Sequence, residues 1–400
     1  MAACAPARYI DLHALHPVPA SLLNRGEDDE PKTMLLGGTV RAMVSSQSWK
    51  RPIRLDVEEQ LDEHAVRTRR LPPLVAKALR EAGWPDDLAA YAGVQIARSA
   101  SGKGLRTEEK QSGIITSATL FMPRDVLTEM VDLCQEHRTA LEEARSQEAA
   151  AADKPKNSRK KKEDSRPAVL PTRTVAALIR RRTATINLFG RMLAELSNGQ
   201  VDGAVQMAHA FSVHQSDPQP DYFTTTEDWP DEDEPGSAYL QTGFFTSGTL
   251  YRYATVNLTE LVRNLGGDEK QALNLLGLFT EAFIETMPRA KKTSTAPHTM
   301  PHLIAYAVRD RRPVSYAAAF EKPVKHAHGG GHTLPAVDAL SQHAGALNRL
   351  IGHRRRIAHG YATFQDTPID HLGTAHASFE ELTDALTEAA AQPSPSRTAA

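Results

Sequence analysis

A chain of 400 residues with 47 Lys and Arg against 49 Asp and Glu carries a formal net charge of -2. That excludes a polycation coating nucleic acid by bulk electrostatics, so any nucleic-acid surface must be a local patch. The composition, 40% hydrophobic and 24% charged, is that of a globular protein of one elaborated domain or roughly two to three ordinary ones. Cys4 and Cys134 are the only cysteines, which leaves neither a disulfide framework nor a cysteine zinc site and fits a reducing cytoplasm. No apolar run approaches a membrane span and no secretory leader opens the chain, so a cytoplasmic protein without a membrane partner is expected.

In chain order, RYIDLHALHP sets Ile10, Leu12 and Ala14 against Asp11 and His13, which predicts a half-buried strand ending near Pro17. A long polar loop follows, punctuated by Pro31 and Gly37-Gly38, then a strand over Thr39–Val44 that turns into a helix near Ser46. From Glu58 to about Glu148 the pattern is mostly helical. Residues 145–171 are a composition break of alanines and then dense cations, predicted to be a mobile insertion. Helical spacing of Val175, Leu178, Ile179, Ile186, Phe189, Met192, Leu193 and Leu196 predicts one helix over Thr172–Leu196.

Residues 213–248 mix turn residues, acids and aromatics with few aliphatics, which predicts a protruding hairpin or long functional loop. TLYRYATVNL (249–258) returns to strand, and Asp268 opens a helix that stops at Pro288. HLIAYAV and VSYAAAFEKPV read as further strands, with closing helices near 337–358 and 375–391 and a disordered tail. This alternation makes the fold class α+β.

The densest donor chemistry is RAMVSSQSWKRPIR (41–54), with four cations, three serines, one tryptophan and no acid. It suits a phosphate-rich partner or, more plainly, a solvated helix start. Lys50 and Arg54 sit four apart and share one helix face. Trp49 reads as a packing anchor rather than a base platform. HAHGGGH (326–332) gathers three histidines, but its glycines favour a flexible loop over a metal cage. HRRRIAH (353–359) fits a phosphate contact or a helix end equally. The acids of EDWPDEDEP (227–235) could hold Mg²⁺ for phosphodiester cleavage, yet they lie in a Pro/Gly-punctuated loop that reads as a solvated tip. No Ser/His/Asp order, P-loop or dinucleotide fingerprint is present, so no catalytic residue, metal or cofactor is assigned.

Taken together, the segments resemble the CasC family, backbone subunits of the type I-E CRISPR Cascade complex. The resemblance rests on SLLNRGEDDEPKTMLLGG followed by VSSQSWKR, then FGRM (189–192), VDGAVQMAHAFSVHQ (201–215), DYFTTTEDW (221–229), GSAYLQTGFFTSGTLYRYATVNL (236–258) and AFEKPV (319–324). Each block is weak alone, but they occur in the family's order across nearly the whole chain. Little is recognisable in region 60–170 or in the carboxy-terminal eighty residues.

The resemblance implies an RRM-like, ferredoxin-type palm with a helical finger insertion and a protruding thumb hairpin. On this sequence that gives an N-terminal palm part with a guide-binding loop at 1–57 and a finger region at 58–170 carrying the basic tract 154–166. A palm helix and strand follow at 171–212, the thumb at 213–248, the rest of the palm with closing helices at 249–391, and a tail at 392–400. The partners implied are CRISPR RNA, other copies in a helical array, other Cascade subunits and target DNA.

By the same resemblance Asn24, Arg25, Lys32, Arg41, Ser45, Ser46, Gln47, Lys50 and Arg54 line the guide track. Tyr222 and Phe223 match the thumb aromatics, and Met192 falls at a guide-contacting position although periodicity alone favours core. Lys160, Lys161 and Lys162 are candidates for target DNA. The rivals are a metal-dependent ribonuclease of the same superfamily, using acids of 227–235, and a stand-alone RRM-like RNA binder, disfavoured because its aromatic motif is absent.

Overall fold

The computed structural model describes residues 8–111, 113–152, 167–226, 237–352 and 356–392. They form two compact units, residues 1–57 with 204–400 and residues 58–203. The chain begins with β1 (Tyr9–Ser21), the hairpin β2 (Thr33–Leu36) and β3 (Thr39–Val44), and α1 (Ser46–Leu61). Gly37 and Gly38 turn that hairpin with φ of 59° and 73°, as a tight two-residue loop requires.

The second unit holds β4 (Ala65–Thr68), α2 (Leu71–Glu81), α3 (Asp86–Arg98), β5 (Thr107–Lys110), β6 (Gly113–Thr116), β7 (Leu120–Pro123), α4 (Val126–Glu136), α5 (Arg138–Ala152), α6 (Thr172–Arg180) and α7 (Ala184–Phe189). Two small antiparallel pairs, β4 with β7 and β5 with β6, interrupt what reads in sequence as mostly helix. Its core gathers Leu71, Val75, Leu79, Ile96, Leu120, Met130 and Ile179.

The chain re-enters the first unit with β8 (Val205–Met207), β9 (Ala210–Ser212), β10 (Gln219–Thr226), β11 (Ser237–Asn257), α8 (Leu258–Asn264), α9 (Glu269–Glu285), α10 (Lys292–Thr295) and β12 (Leu303–Arg309). A 3₁₀ turn (Ala317–Phe320), α11 (Thr333–Ile351), β13 (Arg356–Thr363), β14 (Thr374–Ala375) and α12 (Phe379–Ala391) complete it. Its large sheet runs β14-β13-β12-β1-β11-β9-β3-β2, with β8 and β10 also paired to β11. The α+β class is borne out by this mixed sheet and its helices.

β1 is buried on both faces rather than half-buried. The alternation misleads because the polar residues enter an internal network of hydrogen bonds and ring stacking. Asp11 accepts from Arg309 Nε (2.7 Å), the Tyr253 hydroxyl (2.9 Å) and Val314 N (3.0 Å). His13 stacks on Tyr316 at 4.1 Å and bonds the Tyr251 hydroxyl at 2.9 Å.

Three further expectations are corrected. The helix expected over 172–196 is two helices, broken before Thr183, whose hydroxyl caps the second, and ended by Gly190 at φ 78°. VSYAAAFEKPV is a 3₁₀ turn and loop, not a strand. α11 stops at Ile351 with Gly352 at φ 80°, and residues 356–363 are a strand paired with β12 rather than a helix end. Asp268 does open α9, its carboxylate accepting from Gln271 N at 2.9 Å.

Candidate nucleic-acid interface

The donor-rich stretch becomes a pinned loop and helix start. Lys32 N donates to Asn24 O (2.9 Å) and Gly26 N to Glu30 O (2.8 Å), closing the loop on itself. Asn24 Oδ1 accepts from Ser45 N at 2.8 Å, which ties the loop to the approach of α1. Ser46 N donates to His209 Nδ1 at 2.9 Å. Ser45 and Ser46 are nearly buried, whereas Gln47 is exposed and Lys50 and Arg54 are half-buried.

The first turn of α1 carries no acid, so the positive end of its dipole is not neutralised from within. Ser46, Lys50 and Arg54 share a ridge at spacing four, beside an inner ridge of fully buried Trp49, Ile53 and Val57. Arg25 rests on Asp29 at 2.8 Å, an exposed pair that a phosphate can displace at little cost.

Beneath α1, the Arg252 guanidinium lies 3.8 Å from the Trp49 ring centroid and 4.4 Å from that of Phe283. It donates to His16 Nδ1 (3.0 Å) and to the Phe283 carbonyl. Burial pushes Arg252 down to about 9, still a cation at neutral pH. Burial first, and then Arg252, push His16 down to about 3, so its ring is neutral and its Nε2 donates to Thr299 O at 2.8 Å. Trp49 is thus the expected anchor, locked by a buried cation.

Arg41 is a correction. Its side chain is fully buried and donates to the carbonyls of Ser212 (2.9 Å), Phe320 (3.0 Å) and Glu321 (3.4 Å). It clamps β3 to the neighbouring segments and offers nothing to solvent. Its neighbours in sequence gave no sign of this, because a strand arginine in a basic run reads as surface.

The segment 213–248 contains an antiparallel hairpin, with Tyr222 opposite Thr242 and Phe223 opposite Gln241. One arm is β11 itself, which continues unbroken into the sheet and pairs with β1 from Thr246 onward. Successive strand residues point to opposite faces, so the two rings are separated. Tyr222 is 64% exposed, while the Phe223 ring lies across Gly243. At the root, Gly248 (φ 144°) leaves room for His214, whose Nε2 accepts from Thr249 N at 3.2 Å and whose ring stacks on His332 at 3.9 Å.

In the second unit Met192 is 85% exposed, against the periodicity that favours core. The cause is Arg191, buried and donating to the carbonyls of Gly199, Phe121, Ile179, Arg181 and Arg180 at 2.8–3.1 Å. Gly190 meanwhile approaches Gly203 so closely that a Cβ would fall 2.7 Å from its nitrogen. The turn is riveted from beneath and Met192 is left outside. Lys160, Lys161 and Lys162, the acids 227–235 and residues 353–355 of the HRRRIAH run lie outside the described residues. Among the described residues no group of three or more His, Cys, Asp or Glu could hold a metal ion, and no helix is long and apolar enough to cross a membrane.

Residues 10–388 match the profile of the CT1975-like protein family. The chain belongs to that CRISPR-associated family. Among solved structures, a chain of a "CRISPR RNA-guided surveillance complex, pre-nicking" is similar with a TM-score of 0.85 at 39% identity, covering 96% of this chain and 100% of that one. A chain of a "CRISPR RNA-guided surveillance complex" is similar with a TM-score of 0.76 at 35% identity, covering 95% and 99%. No curated protein sequence matches. The family resemblance read from the residue blocks is borne out, and its structural relatives are surveillance-complex subunits.

Sequence reading missed Arg191 and Arg252, the two buried cations that hold the surfaces in place. Their only advance signal was position, since each arginine sits inside a recognisable block, FGRM and YRYATVNL, flanked by apolar residues.

Proposed function

We propose that this chain is the backbone subunit of a type I-E CRISPR antiviral surveillance complex, binding CRISPR RNA along its spacer without reading sequence and presenting it for pairing with target DNA. The observation that carries the reading is similarity over 95–96% of the chain to chains of CRISPR RNA-guided surveillance complexes, at 35–39% identity. The sheet around β12, β1, β11 and β9 serves as the RRM-like palm, residues 58–170 as the finger region and the hairpin as the thumb.

Asn24, Arg25, Lys32, Gln47, Lys50 and Arg54 grip phosphates, with Ser45 and Ser46 supplying the helix start that holds them in register. Phosphate contacts position a strand and carry no base information, which suits a protein that accepts any spacer. Tyr222 and Phe223 stack on bases from opposite faces of the thumb, and Met192 touches the guide. Copies line up along one guide beside other Cascade subunits, and Lys160, Lys161 and Lys162 attract target duplex by charge. The subunit holds the guide and does not cut it.

The test is affinity purification followed by sequencing of the co-purifying RNA. Spacers flanked by a common repeat are expected, and a random sample of cellular RNA would sink the proposal. Purified protein incubated with Mg²⁺ or Mn²⁺ should leave guide and target intact. Cleavage lost in Asp231→Ala would replace this reading with the ribonuclease.

A further inference from the structure

α9 is followed by Pro288 and then by Arg289-Ala290-Lys291-Lys292, a basic run outside every block used above. Arg289, Lys291 and Lys292 are exposed, and among the described residues none has an ion pair or a side-chain hydrogen bond. Three unneutralised cations within four positions are a polyanion surface in miniature.

Both ends of the segment are tied to the place where the guide loop begins. On one side Met287 packs against the cluster of Val18, Leu23, Val44 and Trp49. On the other, Thr299 Oγ1 donates to Pro17 O at 2.7 Å and His16 Nε2 donates to Thr299 O at 2.8 Å. Val18 and Leu23 flank the start of the guide loop, and Trp49 precedes Lys50. Arg289 follows Met287 by two residues, which limits their separation to about 7 Å of backbone. The basic turn therefore borders the pinned loop and helix start.

Among the described residues no acid forms an ion pair with the turn; Glu285, Asp384, Asp56 and Glu380 are close enough to Glu281 to raise its carboxyl, after burial. Residues 288–296 include no aromatic side chain, so base stacking is unavailable and charge is what the turn offers.

We infer that Arg289, Lys291 and Lys292 form a further phosphate-binding stretch, which carries the guide track past the end of β1 and takes the sugar-phosphate backbone of single-stranded RNA. This rests on the guide-binding reading above. RNA is favoured over duplex because the stretch is continuous with the loop and helix assigned to the guide. It adds affinity without sequence preference, and its contacts are ionic.

The experiment measures binding of the full chain to an unstructured single-stranded RNA rich in adenine and cytosine, across a salt series, with a target-free DNA duplex in parallel. Arg289→Ala, Lys291→Ala and Lys292→Ala together should weaken RNA binding about tenfold at moderate salt. The log–log salt slope should shrink by about 2, at ~0.7 per single-strand phosphate for three contacts. Swapping the cations instead, Arg289→Lys with Lys291→Arg and Lys292→Arg, should retain binding. The unfolding midpoint without RNA should not move, since the residues are exposed.

Unchanged RNA affinity and slope, while Lys50→Ala with Arg54→Ala lowers both, overturns this inference alone. Loss confined to the duplex overturns the assignment to RNA. A wild-type chain that binds no RNA removes the guide-binding reading and this inference with it.

Discussion

The loop-and-helix surface and the hairpin arm both face a nucleic acid in the proposed function, but they are built in opposite ways. The first stands on a buried scaffold: Trp49, Arg252, Phe283 and His16 lock α1, and Asn24 ties the loop to Ser45. The second is a two-stranded ribbon whose Tyr222 is mostly exposed, rooted in the sheet through the unbroken β11. Phosphates recur at fixed spacing along a strand, so a surface that grips them must hold its donors in register. A ring that stacks on any base needs reach more than register. Substitutions on the first surface therefore mix folding with binding, and substitutions on the arm separate them.

The largest effect should come from removing the anchor. Trp49→Ala deletes a fully buried indole and the face on which Arg252 rests, and should cost about 3–5 kcal/mol of stability, read from urea unfolding. A stable Trp49→Ala protein that merely lost RNA affinity would move Trp49 to the surface side of the comparison. Arg41→Ala sharpens the same point. It takes the donor from two buried carbonyls and a partly buried one and should cost about 2–3 kcal/mol, with no change in the salt slope of RNA binding.

That arginine also marks where sequence reading ran out. β1, β3, the start of α1, the hairpin and the Asp268 cap were legible because each has a local cause: a period, a turn pair or a capping oxygen. The fate of Arg41, the burial of Asp11 and His13, and the exposure of Met192 depend on partners from 8 to about 300 residues away. Periodicity measures polarity along one element and cannot see a carbonyl or guanidinium supplied by another. The family blocks carried the candidate site further than residue chemistry did. They singled out the loop and α1 but listed the buried Arg41 among the donors, since adjacency in a motif does not say which side chain faces out.

On the exposed side, Lys50→Ala with Arg54→Ala should weaken guide binding equally for every spacer and lower the salt slope by about 1.4, at ~0.7 per phosphate. A loss that varied with spacer sequence would mean that the helix reads bases. Tyr222→Ala and Phe223→Ala should each cost about 1–3 kcal/mol of binding with the unfolding midpoint unchanged. Because the rings lie on opposite faces of the ribbon, their losses should add, and a strong coupling between them would mean that they share one base. Replacing Lys160, Lys161 and Lys162 by Ala should slow association with long duplex at low salt and leave guide affinity nearly unchanged.

The smallest effect distinguishes the two regions by pH. His16 sits in the scaffold, and its folded pKa of about 3 lies far below its ordinary 6.5 because burial and the Arg252 cation oppose a second positive charge. Between those values the unfolded chain binds a proton that the folded chain does not, so stability is full above about pH 6.5 and is lost as pH falls. His13 and His214 are depressed by burial in the same direction and add to the slope. For His16 alone, lowering pH from 7.5 to 6 should remove about 0.8 kcal/mol, by the linkage of a single proton. His16→Gln keeps a donor for Thr299 O but cannot take up that proton, and should flatten the dependence by one histidine's share. Urea midpoints measured across that range for both proteins check it. An unchanged slope in His16→Gln would mean that His16 is protonated in the fold, which a 3.0 Å contact from a buried guanidinium to its Nδ1 does not permit.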